Sequence, residues 1–144
     1  MTLKTAYDPN NIFAKIIRGD MPCVKLLETE NVLAFMDVFP QSKGHCLIIH
    51  KQSEAVNFLD VETAALSELV AATQTLARAV DKGLNPDGLR VLQFSGARAG
   101  QTVFHLHFHI VPVYEGVVVA AHASGKPADA ASLEPIAAQI RAAL

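Results

Sequence analysis

Apolar positions recur along the chain in two different periods, and the switches between them locate the elements. Ile12, Phe13, Ile16 and Ile17 are spaced as one helical face, between the start signal Asp8-Pro9-Asn10 and a stop at Gly19. Residues 24–28 and 32–37 are predicted as short strands with Thr29-Glu30-Asn31 as their turn. Pro40-Gln41-Ser42-Lys43-Gly44 leads into a third strand at 45–50. A long helix is expected after Asp60 as N-cap, with the stripe Leu66, Leu69, Val70, Thr73, Leu76, Ala77 and Val80 ending at Gly83. A fourth strand spans 89–94, residues 95–100 form a loop, and a fifth strand spans 102–113. Residues 115–131 mix Gly, Ala, Val and Pro with no period and are expected to form an irregular arm. Ser132 is the expected cap of a last helix through Ile136 and Ile140, with Pro135 in its first turn.

Strands in groups separated by one long helix predict an α+β fold: a five-stranded antiparallel sheet with one long helix and short flanking helices. A chain of 144 residues fits a single domain, with a core at 11–114 and a C-terminal arm and helix at 115–144. Composition changes this picture only by exclusion. At 51% hydrophobic and 18% charged the chain is globular, and a net charge of −2 argues against a nucleic-acid or membrane surface. No run of apolar residues approaches the roughly 20 of a membrane span, and the first eight residues lack the apolar region of a signal peptide. Cys23 and Cys46 have no paired spacing, so two reduced thiols in a cytoplasmic protein are expected.

One segment resists a purely structural reading. His105-Leu106-His107-Phe108-His109 puts an imidazole at every second position. On a strand the three rings line one side, while Leu106, Phe108 and Ile110 face the core. Core histidines satisfied by hydrogen bonds explain one such ring better than three. Neutral imidazoles can hold a metal ion, or a ring can attack phosphorus and form a phospho-histidine. The surroundings favour phosphorus. The turn Gly96-Ala97-Arg98-Ala99-Gly100-Gln101-Thr102 opens directly onto the run, and its small residues let backbone N–H groups approach a phosphate. No carboxylate that could complete a catalytic zinc site lies between Asp87 and Glu115.

With these residues in place, the chain resembles the histidine triad family of nucleotide hydrolases and transferases over residues 11–114. Asn11-Ile12-Phe13-Ala14-Lys15-Ile16-Ile17 is similar to its opening helix. Val32-Leu33-Ala34-Phe35-Met36-Asp37-Val38-Phe39-Pro40 and Ser42-Lys43-Gly44-His45-Cys46-Leu47-Ile48-Ile49 are similar to its next two strands. Ala99-Gly100-Gln101-Thr102-Val103-Phe104-His105-Leu106-His107-Phe108-His109-Ile110-Val111-Pro112 is similar to its signature. The resemblance implies that His107 attacks the α-phosphate of a purine nucleotide to form a nucleotidyl-histidine, which water cleaves. It further implies that His109 contacts phosphate and leaving group, and that His105 and His45 orient the nucleophile and support proton movement. Gln101 and Thr102 would help bind phosphate and Asp37 the ribose hydroxyls, with Phe13, Ile16, Phe35 and Val38 walling the base. A homodimer joined through long helices and sheet edges is also implied, with no cofactor.

The sequence departs from that pattern in three places. The Cys-x-x-Cys and later histidine that hold a structural zinc in some members correspond here to Asn11, Ala14 and Ser53, so no such zinc is expected. The Pro-Lys-x-His after the third strand reads His50-Lys51-Gln52-Ser53. Phe94 stands where relatives usually place an asparagine or glutamine near the phosphates. His109, in place of the glutamine of the transferase branch, favours hydrolysis. The expected activity is that of a nucleoside phosphoramidase. A dinucleoside polyphosphate hydrolase, a nucleotide-binding scaffold and a metal-binding protein remain alternatives. His122, within the arm, is expected to be exposed or to serve packing.

Overall fold

Strand pairing sets the architecture. The computed structural model describes residues 2–144, with strands β1 (Lys25–Glu28), β2 (Val32–Met36), β3 (Cys46–His50), β4 (Gly88–Leu92) and β5 (His107–Val113). They form one antiparallel sheet in the order β1-β2-β3-β5-β4. Helix α1 (Ile12–Arg18) precedes β1, α2 (Thr63–Leu84) connects β3 to β4, and α3 (Ala130–Arg141) ends the fold. This is the α+β arrangement expected from the grouping of the strands. Among the described residues no helix is long and apolar enough to cross a membrane.

The two faces of the sheet are used differently. Val32, Ala34 and Met36 of β2 point to the same side as Cys46 and Ile48 of β3 and Ile110 of β5. There they pack with Leu69, Leu76 and Val80 of α2 and with Leu133, Ala137 and Ile140 of α3 in the main core. The opposite face carries Leu33, Phe35, Leu47 and Ile49, covered by Phe13, Ile16 and Ile17 of α1. Leu47 pairs with His109 and Ile49 with His107, so the histidines extend this second face. A seven-residue helix cannot cover as much sheet as α2 and α3 together, and the imidazoles lie, buried, on this more thinly covered side. Both faces of β2 and β3 are therefore buried, which is why these strands read as continuous apolar runs.

Several boundaries differ from expectation, each for a local reason. The chain enters β5 only at His107, so His105 and Leu106 lie in an irregular approach to it. Strand β4 ends at Leu92, whose pairing with His109 is the last in its register with β5. Asp60 caps no helix: its carboxylate accepts from the backbone N–H groups of Val56 and Asn57, and α2 starts at Thr63. The buried stripe of α2 is Ala65, Leu69, Thr73, Leu76, Ala79 and Val80, leaving Leu66 partly buried and Val70 exposed on its flank. Asp129, not Ser132, caps α3 by accepting from the Ser132 N–H. Pro135 thereby falls in the second turn, where the ring cannot donate to the carbonyl four residues back.

Gly83 does not end α2, which runs on to Leu84 and closes at Asn85 in the left-handed conformation. Its role is clearance. A Cβ there would stand 2.6 Å from the backbone oxygen of Gln139 in α3. Alanine in a helix interior is worth about 1 kcal/mol over glycine, whereas overpacking against a backbone that cannot rotate away costs about 1–3 kcal/mol. The steric effect wins. Gly83→Ala is expected to lower stability by up to about 2 kcal/mol, against its helix propensity, as read from the urea midpoint; an increase would show that the two helices part without cost.

Candidate active site

The thinly covered sheet face gathers the four predicted histidines. His107 and His109 come from β5, His105 from the segment before it, and His45 from the junction before β3, and all four are buried. Gly44 sets the last of these. Its φ of +92° is one that L side chains avoid, and a Cβ would lie 2.3 Å from Leu84 Cδ1. The chain can turn His45 inward only because no side chain precedes it there.

Backbone groups fix where each ring carries its proton. The His107 Nδ1–H donates to the carbonyl of His105 at 2.6 Å. A carbonyl only accepts, so in the neutral ring Nε2 is the atom with the free lone pair. The His105 Nε2–H donates to the His50 carbonyl at 3.3 Å, and its Nδ1 accepts from the Tyr7 hydroxyl at 2.9 Å. His45 Nδ1 accepts from the Gln41 backbone N–H at 2.9 Å. The His45 Nε2–H therefore faces His109 Nδ1 at 2.9 Å, with the Asp37 carboxylate 3.3 Å away. His109 in turn must hold its proton on Nε2, and that buried N–H has no protein partner. One basic nitrogen and one unsatisfied donor are thus placed on adjacent rings, 4.9 Å apart between centroids.

The electrostatics keep these rings neutral. Burial draws His105 down to about 4, and it does the same for His107 despite the bond to the His105 carbonyl. Burial, then the neighbouring His107 and His45, lowers His109 to about 2. His45 is lowered as well, because burial outweighs the Asp37 carboxylate beside it. A neutral imidazole keeps its nucleophilic lone pair, so burial serves the chemistry here.

Around the triad the expected ligand-binding residues separate into groups. Phe13 stands edge-on to His107 at 4.9 Å and to Phe35 at 5.4 Å, and Ile16 packs in the same cluster. Phe13, Ile16 and Phe35 are thus brought together. Val38 is not among them: it is 40% exposed, and its carbonyl accepts from the Ala128 N–H of the C-terminal arm. Asp37 is buried beside His45, with one oxygen accepting from the Phe39 N–H. Thr102 is exposed at the mouth of the loop. Gln101 must be corrected. Its amide donates to the carbonyls of Val56 and Val103 and accepts from the Gly96 N–H, so its side chain staples the loop and has no hydrogen left for a phosphate.

Two residues at the site escaped the sequence reading. Tyr7, in the irregular segment before α1, orients His105, and no local pattern marks it. His122 had been expected to be exposed or packing. Its ring lies 5.2 Å from that of His109 and 5.0 Å from Phe94, with both nitrogens buried and unpartnered. Phe94 also touches His109, at 5.3 Å.

The metal alternative finds limited support. Ligand atoms of Asp37, His45 and His109 lie within 4.8 Å of one another, but the hydrogen bond between the two imidazoles accounts for that closeness. At the positions of the family's structural zinc, Asn11 accepts from the N–H groups of Phe13 and Ala14 as the cap of α1, and Ser53 bonds Glu62 and the Ala55 N–H. The remaining ligand position, His105, has its outward nitrogen on Tyr7. With no thiolate there, these residues do not fit such an ion.

Known proteins share this fold. Residues 18–116 match the HIT domain family. An adenosine 5'-monophosphoramidase of Schizosaccharomyces pombe is 43% identical over 101 residues, covering 70% of this chain and 72% of that one. The crystal structure of a HIT-like protein from Bartonella henselae, described as involved in cell-cycle regulation, superposes with a TM-score of 0.88 at 45% identity. That match covers 96% of this chain and 100% of that one. A zinc-bound histidine triad protein from Mycobacterium smegmatis gives a TM-score of 0.80 at 32% identity, covering 93% and 92%.

Neutral burial of the imidazoles has a sign that can be measured. Unfolded, each histidine titrates near 6.5, so below that pH the unfolded chain binds protons the folded chain refuses. Stability is then present above the unfolded value and is lost as pH falls toward the folded values of about 4 for His105 and His107. Each of the two is expected to cost about 2 kcal/mol between pH 7 and pH 5, above the range in which most carboxylates titrate. Urea unfolding at the two pH values checks this, and an unchanged midpoint would mean the folded chain protonates these rings as readily as the unfolded one.

Proposed function

This chain belongs to the HIT domain family, and on that premise we propose that it hydrolyses purine nucleotide conjugates at the α-phosphate, as a nucleoside phosphoramidase acting through His107. The observation that carries the reading is the short bond from His107 Nδ1 to the His105 carbonyl, which leaves Nε2 basic on a buried neutral ring. In the first step the Nε2 lone pair forms a bond to phosphorus while the bond to the leaving group breaks, the electron pair departing with that group. In the second, water attacks phosphorus and the nitrogen–phosphorus bond breaks; the proton that water gives up offsets the one the departing group has taken, so the nucleoside monophosphate is released and the neutral ring restored.

The other residues take supporting roles. The unpartnered His109 N–H meets a phosphoryl oxygen or the departing atom, where charge develops. His45 holds His109 in the tautomer that points this donor outward, and the Gln41 backbone holds His45. His105 supplies the carbonyl that aims the nucleophile. Phe13, Ile16 and Phe35 form an apolar wall for the base, Asp37 offers acceptors to ribose hydroxyls, and Thr102 offers a hydroxyl to phosphate. The monophosphoramidase name of the fission yeast relative supports the phosphoramidate substrate class.

A homodimer is part of the same reading. Val70 on α2 and Val91 on the edge strand β4 are 46% and 51% exposed, and Leu66, Val70 and Ala71 line a shallow groove on that helix. An edge strand beside exposed apolar residues needs cover. The two unpaired thiols accord with a reducing cytoplasm.

The decisive test is a brief incubation with adenosine 5'-phosphoramidate, followed by mass measurement without acid. An AMP adduct is expected on the peptide containing His107, and His107→Ala is expected to lose roughly 10^4-fold or more in kcat. Full activity in that variant would end the reading, and faster turnover of a diadenosine polyphosphate would move the substrate class. Light scattering on the purified protein is expected to give twice the chain mass, and Val91→Arg to shift it toward the monomer.

A further inference from the structure

Phe13, His107, His109 and His122 form a continuous row, with successive ring centroids 4.9, 4.9 and 5.2 Å apart. The row has a direction. Phe13 belongs to the apolar wall at one end, and His107 supplies the basic nitrogen next to it. His109 presents an unpartnered N–H, and His122 closes the far end against Phe94. A nucleotide with its base at the Phe13 end and its α-phosphate at His107 must extend its remaining substituent toward His122.

Three buried ring nitrogens without partners meet at that end: His109 Nε2 and both nitrogens of His122. Leaving a buried polar atom unpaired costs about 1–3 kcal/mol, and folded proteins rarely tolerate it without a role. The arm is also held there deliberately. The Ala120 N–H donates to the Gln41 carbonyl at 2.8 Å and the Gln41 side-chain amide donates back to the Ala120 carbonyl at 2.9 Å. The Ala128 N–H donates to the Val38 carbonyl at 2.7 Å. Ala123, just after His122, sits at φ +51°, a conformation alanine adopts only when its surroundings impose it. Gln41 is the residue whose own N–H fixes the His45 tautomer, so one backbone position secures both the arm and the proton chain. A charge on His122 would also oppose protonation of His45, His107 and His109.

We propose that His122 is a leaving-group residue: its imidazole, delivered by the C-terminal arm, hydrogen-bonds the atom that departs from the α-phosphate and sets which departing amines or alcohols the enzyme accepts. This rests on the nucleotide-hydrolase reading above. The leaving atom gains electron density as its bond to phosphorus breaks, and an N–H donor there lowers that cost. Phe94, beside both imidazoles, gives the departing group an apolar surface where a polar side chain would have gripped a charged one. The contact matters most for leaving groups that depart poorly and little for those that depart unaided.

The test compares two AMP conjugates, adenosine 5'-phosphoramidate and adenosine 5'-(p-nitrophenyl) phosphate, on wild type, His122→Ala, His122→Asn and His107→Ala. His122→Ala is expected to lose about 10–100-fold in kcat/KM on the phosphoramidate and less than about 3-fold on the nitrophenyl ester. Its affinity for AMP, which has no leaving group, is expected to stay within about 3-fold, and His122→Asn, which restores a donor, to recover part of the loss. Equal losses on both conjugates would mark His122 as mere packing and overturn the proposal, as would no loss on either. If His107→Ala is dead while His122→Ala is unaffected, the inference falls and the hydrolase reading stands. If His107→Ala is fully active, both fall.

Discussion

Every feature of the site depends on where four buried imidazoles keep their protons. Imidazole in water near neutral pH is an indifferent group, protonated or not and free to exchange tautomers. Here the choice is made by main-chain atoms that cannot adapt: a carbonyl beneath His107, a carbonyl beneath His105 and an N–H beneath His45. Each accepts only one arrangement of the ring above it, and the bond from His45 to His109 passes the decision on. Burial then removes the competing charged form. The tautomers are set by the fold before any ligand arrives.

That preparation requires an uneven sheet. Had a second long helix covered the face of Leu47 and Ile49, the triad would be sealed in a core. Had nothing covered it, water would have restored the ordinary behaviour of the rings. Helix α1 is short and turns an apolar face to the sheet, and its Phe13 faces both Phe35 and His107. The price of this half-cover is small because α2 and α3 carry the main core on the other side.

How much of this could be read from the sequence follows from the range of each interaction. The alternation at 105–109 and the periodicity of α1 and α2 are local, and they located the strands, the helices and the triad, whereas His45, Phe13, Ile16 and Phe35 were placed by the resemblance to the family. The limits were also physical. Val70 looked like core because the stripe on α2 was placed roughly 50° off around the helix, and Ser132 looked like a cap because it is a good one, three residues past Asp129. Gln101 read as a phosphate ligand because its partners, the carbonyl of Val56 and the N–H of Gly96, are set by loop closure and not by spacing. Tyr7 and His122 lie 98 residues from His105 and 13 from His109, in segments without period. No local rule could have brought them to the site.

The two ends of the active site are consequently built from different material. The end at His107 is strand and main chain, whose hydrogen bonds fix the rings. The far end is an irregular arm fastened by a few backbone bonds to Gln41 and Val38, with Phe94 and His122 as its side-chain surface. Residues on such an arm can be exchanged without disturbing β5, because none of the hydrogen bonds that fix His105 and His107 passes through it, and His45 draws on Gln41 by its N–H alone. A fold divided in this way can keep one bond-breaking step while changing what is attached to the phosphorus. The replacement of an expected polar residue by Phe94 then reads as a change of clientele, compensated by the imidazole that the arm brings against it.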